Sequence, residues 1–382
     1  MKYSLKKSTI LAAAGVFLTV LFFVGFIAVD SAKAKEEETC CFYNSLHHTG
    51  EGMRYWYEEQ GGFKAVTGIP YEKLGCKSCH VKSCDQCHVE KKEDKCLYSL
   101  KKAADSKTCL ACHGREGTTF KISKAKNTLD VHVANGMGCV DCHKGNDVHG
   151  DGTFYRTMRD EGAVQASCTD CHEVEGNIKA HTVHNNKLAC ASCHVANTTS
   201  CLNCHFSKFL EQEKRAGNFF PPIQDWLILV NYKGKVTTGN VQTLVYKGKT
   251  FITYAPYFTH AVQKKARTCP DCHANEAVTR LNKGQKVVMA AYENDRMISF
   301  KGVVPLVPDL LVWQFMDKDG EQWVPLKSKE KPMIQYSCYA EPFTREQLKK
   351  MAAAAKNQSI KKDNSQERKL ESPAARNKKQ EK

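Results

Sequence analysis

This 382-residue sequence predicts a mainly α and irregular fold with a small antiparallel β module in its C-terminal half. Three observations carry that expectation. A five-residue pattern, Cys-x-x-Cys-His, recurs eight times. The segment 76–273 that holds the copies spends about 25 residues on each, too few to enclose an ordinary side-chain core. Runs of β-branched and aromatic residues become frequent only after the seventh copy. The first part of the chain must therefore fold around something other than its own side chains.

The copies use Cys76, Cys79 and His80; Cys84, Cys87 and His88; Cys109, Cys112 and His113; Cys139, Cys142 and His143; Cys168, Cys171 and His172; Cys190, Cys193 and His194; Cys201, Cys204 and His205; and Cys269, Cys272 and His273. A random chain with these Cys and His contents would hold about 0.04 such windows, so chance does not explain eight. The pattern is the attachment signature of c-type haem. Two intervening residues let one turn of backbone present both sulfurs to the porphyrin edge. The adjacent imidazole then reaches the iron from the same side. Zinc needs four ligands and no histidine after every second Cys. The sequence therefore calls for eight covalent haem c groups and a haem-dominated multihaem cytochrome c fold.

The chain divides at composition shifts. Residues 1–34 read as an export signal or an N-terminal membrane anchor. Lys2, Lys6 and Lys7 flank an uncharged apolar run over 9–29, and Ala32-Lys33-Ala34 offers a small-x-small cleavage site. The run is also close to the length of a spanning helix, so cleavage and retention both stand. Either places the rest outside the cytoplasm, in the periplasm or anchored in the inner membrane facing it. Residues 35–208 form a seven-haem domain. Within it, 47–57 predicts a short helix capped near Thr49 and broken at Gly61-Gly62.

Residues 209–340 form a β-rich module containing the eighth haem site. Strands are expected over 226–232, 241–246 and 250–254, with Lys233-Gly234-Lys235 and Lys247-Gly248-Lys249 as turns. More follow over 287–292, 297–300 and 310–315, the last turning at 317–320 into 321–324. Residues 341–382 hold a helix from Thr344, which caps it, to Ala355, then a basic tail too polar to fold.

Counting iron ligands gives a firmer result. The motif histidines supply one axial ligand per iron. Seven others remain: His47, His48, His132, His149, His181, His184 and His260. A lone histidine is usually structural, but here eight irons compete for seven imidazoles. Eight bis-histidine irons need one histidine more than the fifteen present, so at least one iron takes another ligand or stays open. The adjacent pair His47 and His48 is where a histidine most readily goes unused. Met53, Met137 and Met289 are thioether candidates, though methionine more often packs. Cys40, Cys41, Cys96 and Cys338 lie outside the motifs. They suffice for two disulfides, but a bridge between the neighbours Cys40 and Cys41 is strained, and no pairing follows from spacing.

The bare chain carries a net charge of +15. Each ferric haem c contributes about −1 once its propionates ionise, so the loaded chain falls to about +7 oxidised and about −1 reduced. The basicity is counter-charge for propionates, and it gives no reason to expect a nucleic-acid partner.

Eight such motifs, together with the unit His132-Val-Ala-Asn-Gly-Met-Gly-Cys139-Val-Asp-Cys142-His143, resemble the octahaem cytochrome c superfamily. That group includes hydroxylamine oxidoreductase and octahaem tetrathionate reductase. The resemblance covers about 47–273. It implies a helical, loop-rich fold around a haem chain, most irons bis-histidine and one catalytic. The Cys-x-x-Cys-Lys motif of its nitrite-reductase relatives is absent. The leading functional expectation is an extracytoplasmic octahaem conduit. It would carry electrons from a membrane-associated donor, quinol-linked or hydrogen- or formate-oxidising, to a terminal reductase, another multihaem cytochrome or another acceptor. The alternative is an oxidoreductase of hydroxylamine, nitrite or a sulfur oxyanion at an iron lacking a second histidine; its catalytic residues are unassigned. A polymerising extracellular filament is a third class. Oligomeric state stays open.

Overall fold

The computed structural model describes residues 41–75, 80–174, 176, 178–212, 218–258, 260–294, 296–328 and 330–354. The export or anchor segment, Cys40, the two cysteines of the first motif and the basic tail lie outside the described residues. Among those described, no helix is long and apolar enough to cross a membrane.

From 41 to 200 the chain is a succession of short helices and turns. The region predicted as one helix over 47–57 is two, Leu46–Thr49 and Glu51–Glu58. Ser45, not Thr49, caps the first, accepting from His48 N at 3.2 Å. Gly50 separates them at φ 62°, a left-handed conformation that closes one helix and opens the next. A small hairpin, β1 (Val89–Lys92) and β2 (Lys95–Tyr98), follows the second motif.

The main sheet of the C-terminal half has six strands. β3 (Cys201–His205), β4 (Trp226–Tyr232), β5 (Lys235–Tyr246) and β6 (Lys249–Pro256) come first. Turns with positive φ at Lys233-Gly234 and Lys247-Gly248 join β4, β5 and β6 into an antiparallel meander. β5 is twice the predicted length and includes Gly239. A Cβ there would lie 2.7 Å from Val230 Cγ1 and 3.1 Å from Ala255 O, so only glycine fits between the neighbouring strands.

β7 (Val287–Glu293), β8 (Arg296–Ser299) and β10 (Leu311–Trp313) form a three-stranded sheet. β9 (Gly302–Pro305) joins β4, and β11 (Met316–Asp319) pairs with β12 (Gln322–Pro325). β13 (Met333–Tyr336) completes the main sheet beside β6.

Two expectations need correction here. The module is mixed, not antiparallel: β3, β9 and β13 each join the main sheet in parallel, and β10 runs parallel to β7. These strands arrive by long connections, which can return to the same end of the sheet as hairpins cannot. The β-rich unit also does not begin at 209, because the seventh motif is itself the strand β3.

Trp226, Ile228, Val230, Val241, Tyr254, Met289, Trp313 and Leu348 meet in the main core. Met289 is fully buried there, so it packs and does not ligate. The C-terminal helix runs over 345–354, with Thr344 Oγ1 accepting from Gln347 N at 3.1 Å.

Candidate functional site

Of the seven motifs that lie wholly among the described residues, six close as a turn of helix. The histidine N–H donates to the carbonyl of the first cysteine in four of them: His88 to Cys84, His113 to Cys109, His143 to Cys139 and His172 to Cys168, all at 2.9–3.0 Å. The sixth and eighth are the helices Cys190–His194 and Cys269–His273. In three motifs the residue before the second cysteine is aspartate. Asp141, Asp170 and Asp271 accept from the N–H three residues back, on Gly138, Ser167 and Thr268, at 2.7–2.9 Å. Each carboxylate starts the turn that presents the two sulfurs.

The imidazoles then pair across the fold. Ring centres lie 6.0 Å apart for His47 and His113, 6.1 Å for His88 and His149, and 6.0 Å for His132 and His172. They lie 6.3 Å apart for His143 and His260, 6.4 Å for His181 and His194, and 6.0 Å for His184 and His273. Each pair joins a motif histidine to one outside the motifs. Two imidazole nitrogens each about 2 Å from a shared metal put ring centres about 6 Å apart, so the spacing is that of two axial ligands on one iron.

In three of the paired histidines the ring nitrogen away from the gap is held as in metal-bound imidazoles. His143 Nδ1 meets Asp147 Oδ2 at 2.9 Å, His132 Nδ1 meets Asp130 Oδ1 at 3.2 Å, and His273 Nδ1 donates to Met351 O at 2.8 Å. Asp130 also accepts from Val262 N at 2.7 Å, tying the His132 turn to the loop that carries His260. Burial holds His47, His184 and His260 below the ordinary imidazole value, which favours the neutral, ligating form.

Sequence proximity does not indicate these pairs. His132 precedes the fourth motif by seven residues but faces His172 of the fifth. His149 follows the fourth motif but faces His88 of the second, and His260 precedes the eighth but faces His143. Neighbouring motifs also bring their thiols together. Cys109 contacts Cys139, Cys168 contacts Cys190, and Cys87 is within interaction range of Cys109, Cys142 of Cys171 and Cys193 of Cys269. These contacts string six motifs in the order second, third, fourth, fifth, sixth, eighth.

Three histidines stand outside the six pairs: His48, His80 and His205. His48 Nδ1 meets Val81 O at 3.2 Å, beside the first motif. His80 Nε2 lies 3.0 Å from Tyr71 Oη and against Gly50, where a Cβ would come within 1.9 Å. His205 ends β3. Its N–H donates to Asn218 O at 2.7 Å, so the seventh motif does not close as a helical turn. A bulge between Cys201 and Cys204 aligns them with Gln242 and Leu244, which share one face of β5. Both thiols therefore emerge together, as two thioethers on one porphyrin require. Tyr71, Asp130, Asp147 and Asp317 are the site residues that sequence reasoning missed. An aspartate shortly before or after a histidine was a usable signal for Asp130 and Asp147, but none existed for Asp317.

Comparison with known proteins gives a consistent class. No family model matches the chain. It is 22% identical over 229 residues to the dissimilatory sulfite reductase MccA of Wolinella succinogenes, covering 50% of this chain and 33% of that protein. It is 29% identical over 142 residues to the cytochrome c-type protein TorY of Haemophilus influenzae, covering 35% and 36%. No solved structure matches. The chain spans about a third of the length of these curated relatives. The similarities support a c-type cytochrome with covalent haem c acting in electron transfer.

Proposed function

We propose that the chain is an extracytoplasmic octahaem c-type cytochrome that carries electrons between a membrane-associated donor and a terminal acceptor. The six facing imidazole pairs are the observation that carries this reading. Haem c, when bound, supplies one-electron chemistry. The residues do the rest. Sixteen cysteines, two per motif, fix each group covalently. Paired neutral imidazoles saturate an iron, which keeps it a carrier. Adjacent thiols on successive motifs hold the groups close enough to act as one conductor. Burial and hydrogen bonds at Nδ1 tune ligand strength and potential.

Two measurements test it. Intact mass of the purified protein should show eight haem increments; six or fewer would remove the octahaem reading. Fractionation should place the protein on the extracytoplasmic side, and recovery from the cytosol would contradict it.

The placement of His205, which faces no imidazole, favours a second reading. Here the chain is an oxidoreductase of hydroxylamine, nitrite or a sulfur oxyanion, the last suggested by the partial similarity to MccA. Turnover of these compounds with a reduced dye as electron donor separates the two readings.

A further inference from the structure

All fifteen histidines lie among the described residues, so their count is complete. Twelve form the six pairs. The only spare imidazole, His48, sits beside the first motif, hydrogen-bonded to Val81 and close enough to His80 to influence it electrostatically. Whatever happens at the first motif, no second histidine of this chain is left for the seventh.

His205 differs from the other motif histidines in a second way. It is buried, and its Nδ1 lies 2.5 Å from Asp317 Oδ1, a charge contact off the hydrogen-bonding direction. Asp317 belongs to β11, and β11 is pinned to β3 through Asn203. Asn203 Oδ1 accepts from Met316 N at 3.2 Å, and Asn203 Nδ2 donates to Gln314 O at 3.4 Å. Asp317 Oδ1 also accepts from Lys318 N at 2.9 Å. The carboxylate is thus held by the sheet against the imidazole. His143 has a hydrogen-bonded carboxylate in Asp147, but it faces His260. Among the described residues, only His205 combines a carboxylate at Nδ1 with no facing imidazole.

A carboxylate beside Nδ1 stabilises positive charge on the ring and so would make an axial imidazole a stronger donor. A strong donor opposite an unfilled position favours ligands that accept electron density back from the metal. Building on the octahaem reading, we propose that the seventh motif is the ligand-binding centre. It would take a small π-accepting oxyanion of nitrogen or sulfur, bound through its nitrogen or sulfur atom, with Asp317 as the residue that positions His205.

The test uses the full-length holoprotein, with cyanide and nitrite as probes. Haem-peptide mapping first establishes that the peptide containing Cys201 and Cys204 carries haem; a bare peptide there overturns the proposal while leaving the conduit reading intact. In the wild type, a high-spin ferric signal should convert to low-spin on adding cyanide. The double variant Cys201→Ala/Cys204→Ala should lose one haem and that conversion together. Persistence of a full-strength conversion in the double variant would overturn the proposal by placing the open iron elsewhere. Asp317→Asn should keep the haem count, lower the iron–histidine stretching frequency in resonance Raman spectra, and weaken nitrite binding about tenfold. The bis-histidine signals should not change. An unaltered stretching frequency would remove the role of Asp317. Should Asp317→Asn fail to fold, the Cys201→Ala/Cys204→Ala variant and the mapping still decide the site.

Discussion

The relative orientation of paired imidazoles gives a sharp spectroscopic test. Parallel rings on one ferric iron split its two π-type d orbitals and give an ordinary rhombic low-spin signal. Steeply crossed rings leave those orbitals nearly equal in energy and give a highly anisotropic signal. The planes of His184 and His273 are 4° apart and those of His88 and His149 are 28° apart. The other four pairs lie between 49° and 64°. The oxidised protein should therefore show a rhombic signal integrating to two irons and an anisotropic one integrating to four. His184→Ala removes one ligand of the most parallel pair and touches no cysteine, so the haem count holds. The rhombic signal should fall from two irons to one, and the high-spin signal should rise by one. Free imidazole should restore the original spectrum by filling the vacated position. Electron paramagnetic resonance with spin quantitation reads all three outcomes. An unchanged rhombic signal in His184→Ala would refute the shared iron between His184 and His273.

Two further predictions concern the fold around the sites. Gly50→Ala forces a left-handed residue to carry a Cβ against His80, costing about 1–3 kcal/mol. Denaturant unfolding should show the loss, with a haem shortfall confined to the first motif by peptide mapping. Trp226 is almost fully buried, donates to Ser200 Oγ at 3.2 Å and packs edge-on against Trp313. Trp226→Ala should cost about 3–5 kcal/mol, read by the same unfolding curves.

The sequence alone located features that complete themselves within a few residues. A Cys-x-x-Cys-His unit needs one turn of backbone, and the aspartate that caps the turn in three copies sits inside the motif. The β4–β5–β6 meander needs only β-branched and aromatic runs and Lys-Gly turns, so its strands were legible, though β5 starts six residues before its expected start. On the octahaem reading, the need for at least one iron without two histidines followed from counting. Tertiary structure decided whatever depends on chain closure over long separations. It matched His132 to His172, His149 to His88 and His260 to His143, passing over nearer motifs in each case. It set the parallel strands that made the sheet mixed, drew the seventh motif into that sheet, and carried Asp317 back across more than a hundred residues to His205. An attachment motif is written in local backbone geometry, whereas a distal ligand or a buried carboxylate is selected by packing, which no local pattern encodes.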